Sequence, residues 1–253
     1  MVSLSIQSLY ASHGRKPILT DVSARIETGQ ITALIGPNGT GKSTLLKAIS
    51  GLLPATGTVT LNGDVQNAPK RREVFAYMPQ DSGAQSSISV FEVVLLGRMR
   101  SLGLSVPQAL QDEVEATLAR FGIAHLADRA LDQISGGQRQ MVFLAQAMFR
   151  RPEVLLLDEP TAALDMRHQL VVLDAVQETV RRQNMIAVIA LHDLNLVAQF
   201  AQHVICLSGG RVAAEGSCVE VLTPERLAAL YGVHAEVSTN AQGDLRIRPI
   251  RPV

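Results

Sequence analysis

Short apolar runs alternate with amphipathic stretches along this chain, and the change of period between them predicts its elements. Near the start, Val2, Leu4 and Ile6 alternate with polar residues, the pattern of a half-buried strand. Residues 22–26 and 59–61 read as further strands, set off by the turn signals Thr28-Gly29 and Asn62-Gly63. Together they predict an antiparallel β layer. Four other runs are apolar throughout: ITALI at 31–35, VLLL at 154–157, IAVIAL at 186–191 and VICL at 204–207. Unbroken apolar strands suit a parallel sheet that is covered on both faces.

Between these runs the period lengthens. Leu45, Leu46, Ile49 and Leu52 recur at helical spacing, as do Val106, Leu110, Val114, Leu118 and Phe121, and a further helix is predicted over 166–183. Strands alternating with helices predict an α/β fold with a mostly parallel sheet. From about 82 to 151 the pattern is helical, which predicts a helical subdomain inserted between core segments at about 1–81 and 152–235. The polar residues 236–253 are expected to form a C-terminal tail, little more than a loose strand or cap.

Composition narrows the function classes. The chain has 253 residues, 47% of them hydrophobic, enough for a sizeable core. Lys plus Arg equals Asp plus Glu at 23 each, so no net field favours nucleic acid or an anionic membrane as partner. Cys206 and Cys218 are too few for a disulfide framework and fit a reduced setting. The N-terminus lacks the pattern of a signal peptide, and no run approaches the ~20 apolar residues of a membrane span. Work at a membrane would need a span supplied by another chain.

The candidate chemistry starts at GPNGTGKST, residues 36–44, between an apolar strand and an amphipathic helix. Gly36 and Gly41 let the backbone curl so that the N–H groups that follow Pro37, those of Asn38, Gly39 and Thr40 and their neighbours, point at an anion, and the helix start adds its positive end. Lys42 can reach β- and γ-phosphates, Ser43 offers a hydroxyl to Mg²⁺, and Thr44 completes the turn. This predicts a nucleoside triphosphate site. A second piece is VLLLDEP, residues 154–160, a strand ending in two carboxylates that alternation sends in different directions. Asp158 suits the Mg²⁺ shell, and Glu159 is the candidate general base that polarises the attacking water. A third piece is ISGGQ, residues 134–138, where Ser135 and Gln138 form a capping box around Gly136 and Gly137 at a helix start. By itself it reads equally as an ordinary cap or as a second anion-ready helix terminus.

In this order the motifs resemble those of the ATP-binding subunits of ABC transporters, over nearly the whole chain. The resemblance implies a RecA-like P-loop NTPase core with an antiparallel β layer and an inserted helical subdomain. It implies ATP and Mg²⁺ as cofactors. It further implies that Gln80, ending FAYMPQ, contacts Mg²⁺ and the attacking water, that His192 in ALHD touches the γ-phosphate, and that Tyr10 stacks on adenine. AALD at 162–165, ending in Asp165, resembles the D-loop. Two positions depart from the common pattern: Ile134 stands where Leu is usual, and Ala162 where Ser is usual, which removes a hydroxyl that could bridge two subunits.

The partners implied are a second copy arranged head to tail, with Ser135 and Gly137 completing the pocket of the other copy, integral-membrane permease subunits, and indirectly a substrate-binding protein. The implied location is peripheral, at the cytoplasmic face of the cell membrane. HDLNLVAQFAQHVICLSGGRVAAEG at 192–216, followed by LTPERLAALYGV at 222–233, resembles the ATP-binding subunits of importers of iron–siderophore, haem or cobalamin. A transporter of another cargo, and a soluble ABC ATPase acting on nucleic acid or ribosomes, stay open as alternatives. A membrane partner is expected to dock a helix in a groove between the core and the helical subdomain, with ISVFEVVLL at 88–96 as the segment that motivates it and Phe91 as a residue to test it.

Overall fold

A computed structural model describes residues 3–80, 86–101, 105–240 and 245–253. The chain begins with strands β1 (Ser3–His13), β2 (Lys16–Glu27) and β3 (Ile31–Ile35), then helix α1 (Lys42–Ser50), strands β4 (Thr56–Leu61) and β5 (Asp64–Val65), helix α2 (Ala68–Val74) and strand β6 (Phe75–Met78). Helices α3 (Val90–Leu95), α4 (Gln108–Arg120) and α5 (Gly136–Phe149) follow. The second half alternates β7 (Val154–Asp158), α6 (Met166–Gln183), β8 (Ile186–Ala190), α7 (Leu194–Phe200), β9 (His203–Ser208) and β10 (Arg211–Gly216). It closes with α8 (Cys218–Val221), α9 (Pro224–Tyr231), β11 (Val233–Thr239) and β12 (Leu245–Pro252).

The central sheet has the order β10-β9-β3-β8-β7-β6, parallel except for the antiparallel edge β10. The second sheet, β2-β1-β4-β5, is antiparallel. Strand alternation divides the core between the two faces of the central sheet. Ala33, Leu155, Leu157, Ala187 and Ile189 pack with α3 to α7, whereas Leu34, Val154, Leu156, Ile186 and Val188 pack with α1 and the antiparallel layer. Every residue of β3, β7 and β8 is buried, as unbroken apolar runs demand. Val2, the first of the expected alternating residues, lies outside the described residues, as does the start of the helical region at 82–85.

Two expectations need correction. Leu52 does not belong to α1, because Gly51 takes a left-handed conformation (φ 77°) that ends the helix, and Leu52 is left 56% exposed. Nor is the segment after 235 loose. Strand β11 begins at Val233 and pairs antiparallel with β12. Ile247 is buried, and the Asn195 side chain joins it by accepting from Ile247 N at 3.0 Å and donating to Ile247 O at 3.2 Å. The alternation of Val233, Ala235 and Val237 carries this pattern, but Arg246, Arg248, Pro249 and Arg251 interrupt it on the other strand.

Candidate active site

The turn after β3 is shaped by glycines that nothing else can replace. Gly36 has φ 143°, and a Cβ there would sit 2.1 Å from the carbonyl oxygen of Leu207. Gly41 has φ 103°, with Leu19 Cδ2 2.9 Å from the corresponding point. Gly41 also stands at the start of α1, where no side chain caps the first turn, so the leading amides remain available to an anion. Within the loop, the Thr40 hydroxyl donates to Pro37 O at 2.9 Å. The Lys42 ammonium donates to Gly36 O at 2.7 Å and Pro37 O at 3.1 Å. Burial lowers the Lys42 pKa, and the negative charges of Glu159 and Asp158 act in the opposite direction.

Strand β7 delivers the carboxylates from the adjacent part of the sheet. Asp158 is 2% exposed, yet both of its oxygens are engaged: Ser43 Oγ donates to Oδ1 at 3.0 Å and the Tyr77 hydroxyl donates to Oδ2 at 3.1 Å. Burial, reinforced by the charge of Asp158 and the hydrogen bond to it, raises the Tyr77 pKa and keeps that phenol a donor. The chain then turns sharply at Glu159, whose φ of 51° is left-handed. The two oxygens of Glu159 are held from opposite sides. Gln80 Nε2 donates to Oε2 at 2.6 Å, and the Nε2 of His192 bonds Oε1.

These side chains open on a cavity of about 410 Å³ lined by Ile18, Asn38, Gly39, Gly41, Lys42, Ser43, Thr44, Gln80, Glu159 and His192. Of the predicted residues, Asn38, Gly39, Gly41, Lys42, Ser43, Thr44, Gln80, Glu159 and His192 share this cavity, from segments far apart in the chain, whereas Gly36, Pro37, Thr40 and Asp158 stand behind it, bonded to its lining or turning the loop. Ser135, Gly136, Gly137, Gln138, Tyr10 and Asp165 do not line that cavity. The predicted capping box is present: Ser135 Oγ accepts from Gln138 N at 3.3 Å, and Gln138 Oε1 accepts from Ser135 N at 2.9 Å. Tyr10 is 43% exposed on β1. Asp165 caps α6, accepting from His168 N at 2.9 Å, and that bond, with the His168 side chain, lowers its pKa.

The family model described as ABC transporter matches residues 19–162. The iron(3+)-hydroxamate import ATP-binding protein FhuC of Bacillus subtilis (strain 168) is 37% identical over 249 residues, covering 95% of this chain and 91% of that protein. The chain belongs to the ABC transporter family. The hemin import ATP-binding protein HmuV of Plesiomonas shigelloides is 38% identical over 258 residues, covering 92% of this chain and 95% of that one. A solved structure of a metal-chelate type ABC transporter in an inward-facing conformation superposes with a TM-score of 0.83 at 26% identity, covering 100% of this chain and 98% of that chain. This ABC protein has the P-loop NTPase fold and is an ATPase.

Three residues of this ABC ATPase site escaped the sequence reading. Tyr77 lies in FAYMPQ, three positions before Gln80, and the strand alternation there could have placed it with Phe75 on the α1 face of the sheet, the face that Leu156 shares. Ile18 lines the cavity from β2 because Gly41 packs against it. Gln140 donates from Nε2 to the main-chain carbonyl of Glu159 at 3.0 Å, a tertiary contact that no local pattern announces.

Proposed function

We propose that this chain energises an ABC importer by hydrolysing ATP between two copies of itself, with an iron–siderophore complex or haem as cargo. One observation carries the proposal: a single carboxylate, Glu159, is gripped by Gln80 and His192 at the edge of a phosphate-binding loop. That arrangement suits a base that orients a water molecule for in-line attack on a terminal phosphoryl group. Lys42 supplies positive charge to the transferred group, and the α1 amides hold the bridging phosphates.

The oxygen donors present fit Mg²⁺. Ser43 Oγ and Asp158 are already adjacent, Gln80 stands at the same cavity, and hard oxygen ligands are what this cation prefers. In the proposed site the cation would be shared between these side chains and phosphate oxygens. When bound it would neutralise charge on those oxygens. Ser43, Asp158 and Gln80 would hold it.

The proposed second copy faces the first head to tail. Its support is that the capped helix start formed by Ser135, Gly136, Gly137 and Gln138 lies outside its own chain's cavity, as does Asp165. In the dimer Ser135 and Gly137 meet the nucleotide held by the other copy, and Tyr10 stacks on its own adenine. The core segments at about 1–81 and 152–235 then bind ATP, and the helical subdomain at about 82–151 offers the completing helix. Cobalamin is the third cargo consistent with the resemblance; the charge balance gives no support to nucleic acid.

Among the described residues no helix is long and apolar enough to cross a membrane; the proposed permease partner rests on the import ATP-binding relatives. A groove of about 740 Å³ between β6 and the helical region is the proposed seat, with Tyr77, Met78, Pro79 and Phe143 in its lining. Its exposed apolar side chains are Leu96 and Met99, at 43% and 62%. The proposed seat keeps the expected groove and Leu96 of the expected segment, but not Phe91. Phe91 does not line the groove but packs on the core, because the Ser89 capping box fixes α3 with Val90, Val93 and Val94 turned inward. The chain would therefore sit peripherally at the cytoplasmic membrane face. Changing Leu96 and Met99 together to Asp is expected to lower ATP-driven uptake into vesicles at least about tenfold, while turnover by the isolated subunit stays within about twofold. Unchanged uptake would remove the groove as the docking seat.

A further inference from the structure

Gln140 lies in the second turn of α5, 6% exposed, and has only one of its polar ends satisfied. Nε2 donates to Glu159 O at 3.0 Å. Oε1 is buried with no hydrogen-bond partner among the described residues. A half-satisfied buried amide is destabilising relative to an apolar side chain of the same size, so stability alone does not account for glutamine here.

The residue it grips explains more. Glu159 is a non-glycine residue in the left-handed region, a conformation that persists only where its surroundings enforce it. Its N–H donates to Ala190 O at 3.2 Å, and its carbonyl accepts from Ala162 N at 3.3 Å as well as from Gln140. The Ala190 bond ties Glu159 to the strand that leads to His192. The Gln140 bond ties it to α5. The same helix touches the 159–165 loop again at Gly137, where a Cβ would lie 3.1 Å from Ala163 O.

We infer that Gln140 is a positioning residue for Glu159: its amide holds the main-chain carbonyl of the strained residue, and so aims the carboxylate at the cavity from the helix that Ser135 and Gly137 begin. The inference rests on the proposed role of Glu159 as base. In the proposed dimer, Ser135 and Gly137 meet the other copy's nucleotide. Gln140 then makes the placement of one copy's base depend on the helix that completes the other copy's pocket.

Gln140→Met keeps the length and removes both the donor and the unpartnered oxygen. ATP turnover by the full chain is expected to fall about tenfold in kcat, with KM for ATP within about twofold and a melting temperature no lower than that of the parent. Gln140→Leu, differently shaped, is expected to give the same split should the Met variant fold poorly. Added to Glu159→Gln, neither change is expected to cause a further loss, because both act through one group. An unchanged kcat, a rise in KM alone, or a loss of activity matched by a loss of melting temperature would overturn the inference. Normal turnover in Glu159→Gln alone would instead overturn the assignment of the base, and the inference with it.

Discussion

Glu159→Gln is expected to lower ATP turnover about a hundredfold to ten-thousandfold, the usual worth of a positioned base, while ATP continues to bind. The amide has the size and shape of the carboxylate, so the left-handed backbone at residue 159 and its bonds to Ala190, Ala162 and Gln140 have no reason to change. What changes is the chemistry of the two oxygens. One end of the amide can still accept from Gln80 Nε2, but the other becomes an NH₂ facing the Nε2 of His192, which must then act as acceptor. The neutral amide cannot take a proton from water. Phosphate release gives the rate, and size-exclusion chromatography with ATP is expected to show a persistent dimer. Turnover at the parent rate would remove Glu159 from the role of base.

Lys42→Ala is expected to weaken ATP binding about a hundredfold or more, the range for truncating one member of a buried charged set. The ammonium is buried, bonded to the carbonyls of Gly36 and Pro37, and near both Asp158 and Glu159. Removing it deletes the cation meant for the phosphates and leaves two carboxylates without their counter-charge. Both losses act against an anionic ligand, so binding should fail before chemistry is tested. Equilibrium titration with a fluorescent ATP analogue measures this, and an affinity within about twofold of the parent would contradict it.

Much of the fold was legible because its signals are local. The fully apolar runs at 31–35, 154–157 and 186–191 became β3, β7 and β8, and the helix predicted over 166–183 is α6 residue for residue. The loop glycines were legible for the same reason, since a backbone that must pass 2.1 Å from where a Cβ would stand leaves no other choice at Gly36. Contacts made by folding were not. Tyr77 and Gln140 reach Asp158 and Glu159 from other elements, and neither spacing nor composition ties them together. The β11–β12 hairpin was obscured because its apolar positions are few and arginines and prolines interrupt them. Phe91 was misplaced because a hydrophobic helix face reads alike whether it meets its own core or another chain.

In the proposed dimer each copy completes the other's pocket, and Gly136→Asp would place a negative charge at that junction. Gly136 has open space around it, with no heavy atom nearer than Arg139 Nη2 at 3.9 Å to an added Cβ. An acidic residue at a helix start is locally favourable, so the chain should fold and bind ATP in its own cavity as before. In a shared pocket the new carboxylate would face the other copy's phosphates. ATP binding by the monomer is expected to be unchanged, with turnover lowered about a hundredfold or more; turnover at the parent rate would rule out the shared pocket.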